Sequence, residues 1–333
     1  MKLSILDQVV QSRGQTPEEA IEESIQLAQL AEEWGYHRYW VAEHHDLPGL
    51  CCPAPDLILS LIGSKTDRIR IGSGAVLLPN YKPYTIAERY HLLATLYPGR
   101  VDLGVSRSPG GSAEASRALT DNMLQSIYQM PAKVEELLHF LSNDFPENHI
   151  YSSLKAAPVP EVSPSPWILG TSKKSAELAG SLGLPYAVGH FMNKASSEEA
   201  VKTYRDHFQP SNYLDKPEVI LAVSVICGET EEQAEELACS GQIWSIERTA
   251  GKGNEGLPPV TYAKQYSLEE TEKELQIQLR EQQIVGDAKS VREQINTLAH
   301  AYQSNECIVL TNVHSLNERI ASYQRLASTF KLT

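Results

Sequence analysis

The chain contains no Cys-x-x-Cys pair. Its five cysteines stand at 51, 52, 227, 239 and 307. That is an odd number at uneven spacing, so neither a disulfide framework nor a zinc site is suggested. Apolar runs never approach the ~20 residues that cross a bilayer. The opening MKLSILDQVV reads as too short and too polar for a secretory leader. Basic charge is scarce as well: 29 Lys and Arg against 42 Asp and Glu leave a net charge of −13. That balance argues against a nucleic-acid partner, which needs clustered cations, and against an anionic membrane surface. Together these absences point to a reduced, cytoplasmic protein. The remainder, 41% hydrophobic and 21% charged over 333 residues, is enough to bury a large core and to form an α/β barrel as one domain, 1–333.

Strand and helix patterns alternate almost from end to end. KLSIL opens as a strand, and TPEEAIEESIQLAQLAEEWG follows as a helix. Thr16 is its N-cap, Pro17 its first turn, Glu19 the partner in a capping box and Gly35 its stop. Ile21, Ser24, Ile25, Ala28 and Ala31 share one helical face. RYWVA, RIRIGSGAVLL, GRVDLGVS, WILG, PYAVG, EVILAVSVIC and NECIVLT supply seven more strands. Helical patterns lie between them over 55–65, 83–97, 113–142, from Ser172, 196–208 and 230–246, with a last one from a Ser315/Glu318 capping box. Eight strand–helix units predict a closed (β/α)8 barrel, a TIM barrel with insertions at the rim. Residues 247–285, polar and rich in Gly, Glu and Gln, read as one such insertion and a probable lid.

In such a barrel the chemistry gathers at the carboxyl ends of the strands. The polar residues there are Asp7, Glu43-His44-His45, Ser73-Gly74, Ser106-Arg107, Gly170-Thr171-Ser172, His190 and Thr311 to His314. WILGTSKKSAELAG runs from a strand through Gly170 into a helix. Free N–H groups at that helix start, with Thr171, Ser172 and Ser175, suit a phosphate; an ordinary N-cap is the plainer alternative. Arg107, ending its strand before a glycine pair, either grips phosphate oxygens or sits in a surface ion pair. GKGNEG at 251–256 matches a dinucleotide fingerprint in letters only, since no strand precedes it and Pro258-Pro259 follow. Of the adjacent imidazoles, His45 is expected to pack under a loop against a carbonyl. Cys51-Cys52 read as small buried residues.

Several stretches resemble the bacterial luciferase-like flavin-dependent monooxygenases: VAEHH; GSGAVLLP with YKPYTIAERYHLLATLYPGRVDLGVSR; ILGTSKKSAELAGSLGLP; and IVGDAKSVREQINTLAHAY. The likeness is collinear over nearly the whole chain and strongest from 36 to 107. It implies a TIM-like barrel that binds reduced FMN at the strand carboxyl ends and activates O2 as a C4a-peroxyflavin to oxygenate a small organic substrate, with the reduced flavin supplied by a separate reductase. By the same resemblance, Arg107, Thr171, Ser172 and Ser175 hold the FMN phosphate beside Gly170. Ser73, Gly74 and Ala75 lie against the isoalloxazine, across a non-proline cis peptide. His44 is the active-site histidine, titrating near neutrality, with Glu43 orienting its surroundings. His190 and Phe191 reach the ring edge. A homodimer paired through the helices after strands two and three is also implied. Ser106 stands where the luciferases carry a reactive cysteine, which argues against light emission and leaves oxygenation intact.

Three other readings stay open on the sequence. F420 replaces FMN in relatives of the same fold. A metal-dependent TIM-barrel hydrolase would use His44, His190 and His314. A flavin-binding protein without turnover would keep the phosphate contacts alone.

Overall fold

Thr16 accepts a hydrogen bond from the Glu19 backbone N–H while the Glu19 carboxylate reaches back to the Thr16 N–H. The first helix therefore starts where local chemistry dictates. The computed structural model describes residues 1–332, and Thr333 lies outside them. The elements are β1 (Lys2–Asp7), α1 (Pro17–Glu33), β2 (Arg38–Val41), α2 (Pro55–Gly63), β3 (Arg70–Leu77), α3 (Pro83–Leu96) and β4 (Val101–Ser106). Next come α4 (Ala113–Leu119), α5 (Met123–Tyr128), α6 (Met130–Ser142), β5 (Ser165–Gly170), α7 (Lys173–Ser181), β6 (Tyr186–Gly189), α8 (Lys194–His207) and β7 (Val219–Cys227). The last are α9 (Glu231–Thr249), α10 (Val260–Gln265), α11 (Glu270–Glu281), β8 (Gln283–Gly286), α12 (Ala288–Ala301), β9 (Glu306–Leu310) and α13 (Leu316–Phe330).

β1 to β7 pair in parallel and in sequence order, and β9 closes the ring by pairing with both β7 and β1. This is the expected eight-stranded TIM barrel in a single domain. Period-two alternation sorts the side chains. Leu6, Trp40, Ala42, Trp167, Ala187, Ile220, Ala222 and Ile308 fill the interior. Their neighbours Ile5, Val41, Ile168, Val188, Leu221 and Val309 join the larger core beneath the helices. Towards the amino ends the interior turns ionic. Arg38 donates to Asp102 (2.9 Å) and Glu306 (2.7 Å), Trp40 Nε1 donates to Asp102 (3.0 Å), and Arg70 completes the set. No helix among the described residues is long and apolar enough to cross a membrane.

Several expectations are corrected. The helical span 113–142 is three helices, because Asn122 caps α5 through the Gln125 N–H and Pro131 sits in the first turn of α6. On α1 the buried face is Ala20, Ser24, Leu27, Ala28 and Ala31, with Ile21 and Ile25 half-buried beside it. Ser315 caps α13 through the Glu318 N–H (3.5 Å), but the Glu318 carboxylate accepts from Gln233 (3.4 Å) instead of closing the box. The insertion begins inside α9, carries α10 and α11, and ends in β8, a ninth strand paired with the distal end of β7. It is fastened to the loop after β1: the Leu257 N–H donates to the Gln11 carbonyl and the Arg13 N–H to the Leu257 carbonyl, both at 2.9 Å. Arg13 also pairs with Glu247 and stacks on Tyr262, 4.3 Å from the ring centre.

Asp7 is not a rim residue. It faces the helices, fully buried, accepting from Tyr39 (2.5 Å), the Val9 N–H (3.0 Å) and Ser24, and pairing with Arg319 of α13. Burial alone would raise its pKa; Arg319 and the three hydrogen bonds reverse that and hold the carboxyl below its ordinary value. A depressed carboxyl stabilises the fold above its unfolded pKa of about 4, and that contribution is lost as pH falls through the lower native value. Asp7→Asn should therefore unfold with a shallower loss of stability than the wild type below pH 4. Equal slopes in chemical denaturation would contradict this role.

Candidate active site

At the carboxyl rim, the Glu43 carboxylate is buried and fully engaged. It accepts from the Leu77 N–H (3.1 Å), the Tyr81 hydroxyl (2.9 Å) and His45 Nε2 (2.7 Å). It thereby ties the end of β3 to the loop that carries the two histidines. The His45 ring bonds this carboxylate and not a carbonyl, which corrects the expectation; its backbone N–H takes the Gly110 carbonyl (3.0 Å). His44 continues the inward parity of Trp40 and Ala42, and its backbone N–H is held by the Cys52 carbonyl (2.8 Å). Its Nδ1 is enclosed and makes no hydrogen bond. Burial, with the positive charge of Arg248 and then His45, pushes the His44 imidazole down to about 4. At neutral pH the ring is uncharged in the flavin-free protein, so it does not titrate near neutrality as expected.

Beside it, the Gly74–Ala75 peptide is cis, matching the resemblance. It lies in a bulge where the β3–β4 register jumps between Ser73 and Val76. Ser73 itself faces the helix side, its hydroxyl donating to the Gly104 carbonyl (2.9 Å). Ser106 ends β4 half-buried, accepting from the Ser108 N–H (3.3 Å).

Arg107 Nη2 donates to Ser172 Oγ at 3.1 Å, joining the ends of β4 and β5 at the start of α7. Among the described residues Arg107 has no carboxylate partner, so the plain ion pair is not formed. Ser172 caps α7 through the Ser175 N–H, and its own N–H donates to Ser175 Oγ, both at 3.3 Å. Gly170 must lack a side chain: a Cβ there would stand 2.4 Å from Ser175 Oγ. Thr171 stands between them, half-buried. Behind Ser175 lies the hydroxyl of Tyr186 (3.0 Å), a residue the sequence reading missed. Burial pushes that phenol up to about 12, against the opposing pull of the Ser175 bond and the Arg107 charge. A guanidinium, serine hydroxyls and an open helix N-terminus are a donor set that fits a phosphate.

His190 is corrected. It takes the outward parity of β6, buried against Tyr302 (ring centres 5.7 Å apart), and opens on a separate groove beside Lys194 and Gln283. Phe191 takes the inward parity and packs with the barrel interior. The third histidine of the hydrolase reading, His314, lies 3.4 Å from the Arg13 carbonyl. The three therefore do not converge, and no three His, Cys, Asp or Glu among the described residues group to hold a metal ion.

Known proteins resemble this chain in sequence and fold. The chain is 34% identical to the N-acetyl-S-alkylcysteine monooxygenase of Bacillus subtilis over 98% of its own length and 97% of that protein's. Apo-MsnO8 superposes with a TM-score of 0.88 at 33% identity, covering 100% and 99% of the two chains. The oxygenating constituent of 3,6-diketocamphane monooxygenase from Pseudomonas putida, solved in complex with FMN, shares the fold (TM-score 0.75, 17% identity, 99% and 97% covered). The family model described as luciferase-like monooxygenase matches residues 1–304. With that match over residues 1–304 and a relative 34% identical along nearly its whole length, the chain belongs to the luciferase-like monooxygenase family.

Proposed function

We propose that this protein is a monooxygenase that takes reduced FMN from a separate flavin reductase and uses O2 to oxygenate a small organic substrate. The observation that carries this reading is the Arg107–Ser172 contact at the start of α7, on the same rim as His44. Bound reduced flavin supplies the electrons that activate dioxygen. Arg107, Ser172, Ser175 and the α7 N-terminus would hold its phosphate, with the ring lying toward the Gly74–Ala75 end of β3. His44 offers a neutral imidazole for proton transfer at the reacting end, and Glu43 fixes the loop that carries it. The segment 247–285 closes over the rim from the α9 side to keep water out.

The activity of the Bacillus subtilis relative makes an N-acetylated S-alkylcysteine the first substrate to try. A homodimer is supported by leucines left exposed at i,i+4 spacing on two neighbouring helices, Leu57 and Leu61 of α2 and Leu92 and Leu96 of α3. The five free thiols fit a reduced cytoplasm.

Arg107→Ala is expected to weaken FMN binding by about 1.5–3 kcal/mol, the value of a charge-assisted hydrogen bond. Fluorescence titration of FMN measures it, and unchanged affinity would remove the phosphate site. Running the same titration with F420 separates the deazaflavin alternative.

A further inference from the structure

Between the loop carrying His44 and the last turn of α9 lies a cavity of ≈ 440 Å³ whose lining includes Leu47, Pro48, Ser245, Arg248, Lys252 and Asn254. The volume is in the range of small-molecule sites, about 300–1,000 Å³. Arg248 is unusual in it. The chain carries 42 acidic residues, yet the half-buried Arg248 guanidinium makes no ion pair and no hydrogen bond among the described residues. The acid beside it in sequence and the carboxylate of the His44 loop both have other partners. Glu247 is held by Arg13 and Tyr262, and Glu43 by His45, Tyr81 and the Leu77 N–H.

Arg248 is also preset. Its guanidinium rests 4.8 Å from the centre of the Trp244 ring. That indole is 2% exposed, packed with Val10, Leu50 and Leu257, and pressed from the loop side by Gly49. A planar cation laid on a fixed aromatic face keeps its N–H edge free for a carboxylate and loses little freedom on binding one. Lys252, one turn beyond, adds a second cation with no ion-pair partner among the described residues. The phosphate donors at Arg107 and Ser172 belong to β4 and β5, whereas this cavity is built from the β2 loop and α9. It is therefore a different anion position on the same rim, and the charge of Arg248 is felt by His44.

Resting on the monooxygenase reading, we propose that Arg248, assisted by Lys252, binds a carboxylate of the substrate. The substrate class is then small organic acids, held with the anionic end in this cavity and the oxidisable end toward His44.

The test is calorimetric titration of N-acetyl-S-methylcysteine and of its primary amide into the protein, both flavin-free and loaded with oxidised FMN. The wild type should bind the acid at least about tenfold more tightly than the amide. Arg248→Gln should abolish that preference, Arg248→Lys should keep part of it, and Lys252→Ala should reduce it about two- to threefold. FMN affinity should be the same in all three variants. Equal binding of acid and amide by the wild type, absence of binding of both included, overturns the proposal. So does a preference that survives Arg248→Gln, or a loss of FMN affinity in that variant, which would assign the cation to the flavin. Should FMN fail to bind the wild type, the monooxygenase reading falls, while the acid–amide comparison on flavin-free protein still decides the anion site.

Discussion

Arg38→Met is expected to destabilise the protein by about 3–5 kcal/mol, the cost of leaving a buried charge without its partner. Arg38 lies inside the barrel, 4% exposed, between two carboxylates. It gives Nη1 to Asp102 (2.9 Å) and Nε and Nη2 to Glu306 (2.7 and 3.0 Å), with its Cζ 4.9 Å from the Trp167 ring centre. Burial alone would lower its pKa, but Asp102 and Glu306 more than reverse this and keep it charged. Methionine fills much of the same space, so the loss is electrostatic. Asp102 would keep Arg70 and Trp40, while Glu306 would be left with only the Ser4 hydroxyl (2.5 Å). Adding Glu306→Gln should therefore recover a substantial part of the stability, a coupling that a double-mutant cycle in urea measures. A single-variant loss below about 1 kcal/mol, or strictly additive variants, would show that the ionic layer is not what holds the amino end of the barrel.

What was legible in the sequence was local or periodic. The Thr16/Glu19 box and the Ser172 cap rest on i,i+3 contacts, and the strands themselves on short apolar runs between turn signals. That Arg107 and Ser172 would serve one phosphate came from the family resemblance; their direct contact follows from β4 and β5 being neighbours whose ends meet. The misses are long-range or chemically tempting. Arg38 and Glu306 are 268 positions apart, so nothing nearby announces their pairing. β8 has four residues and exists only because the end of β7 outruns β9 and offers free backbone groups. His190 was misplaced although the alternation Ala187 in, Val188 out already put it outside; its imidazole invited a role that its parity denies. Arg248 in the last turn of α9 reads as a favourable charge at a helix C-terminus, and only its packing on Trp244 beside the His44 loop sets it apart.

His44→Ala is expected to lower turnover by about 10²–10⁴-fold, the usual range for a lost general acid or base, with FMN affinity nearly unchanged because the phosphate contacts lie elsewhere on the rim. In the proposed role the ring works as a neutral imidazole. His44 Nδ1 is enclosed without a partner, and burial with Arg248 nearby brings the imidazole from its ordinary 6.5 down to about 4. The sign for stability follows. An unfolded chain takes up a proton near pH 6.5 that the folded His44 refuses until about 4, so the unfolded state gains in that window and stability falls as pH drops through it. His44→Ala should flatten that slope. In flavin-free protein, the NMR resonance of the His44 ring should titrate near pH 4. A midpoint above 6 would remove the neutral-imidazole role. Wild-type turnover in the alanine variant, using reduced FMN supplied by a reductase, would remove His44 from the chemistry and leave Glu43 and its bracket of Tyr81, His45 and Leu77 with no side chain to position.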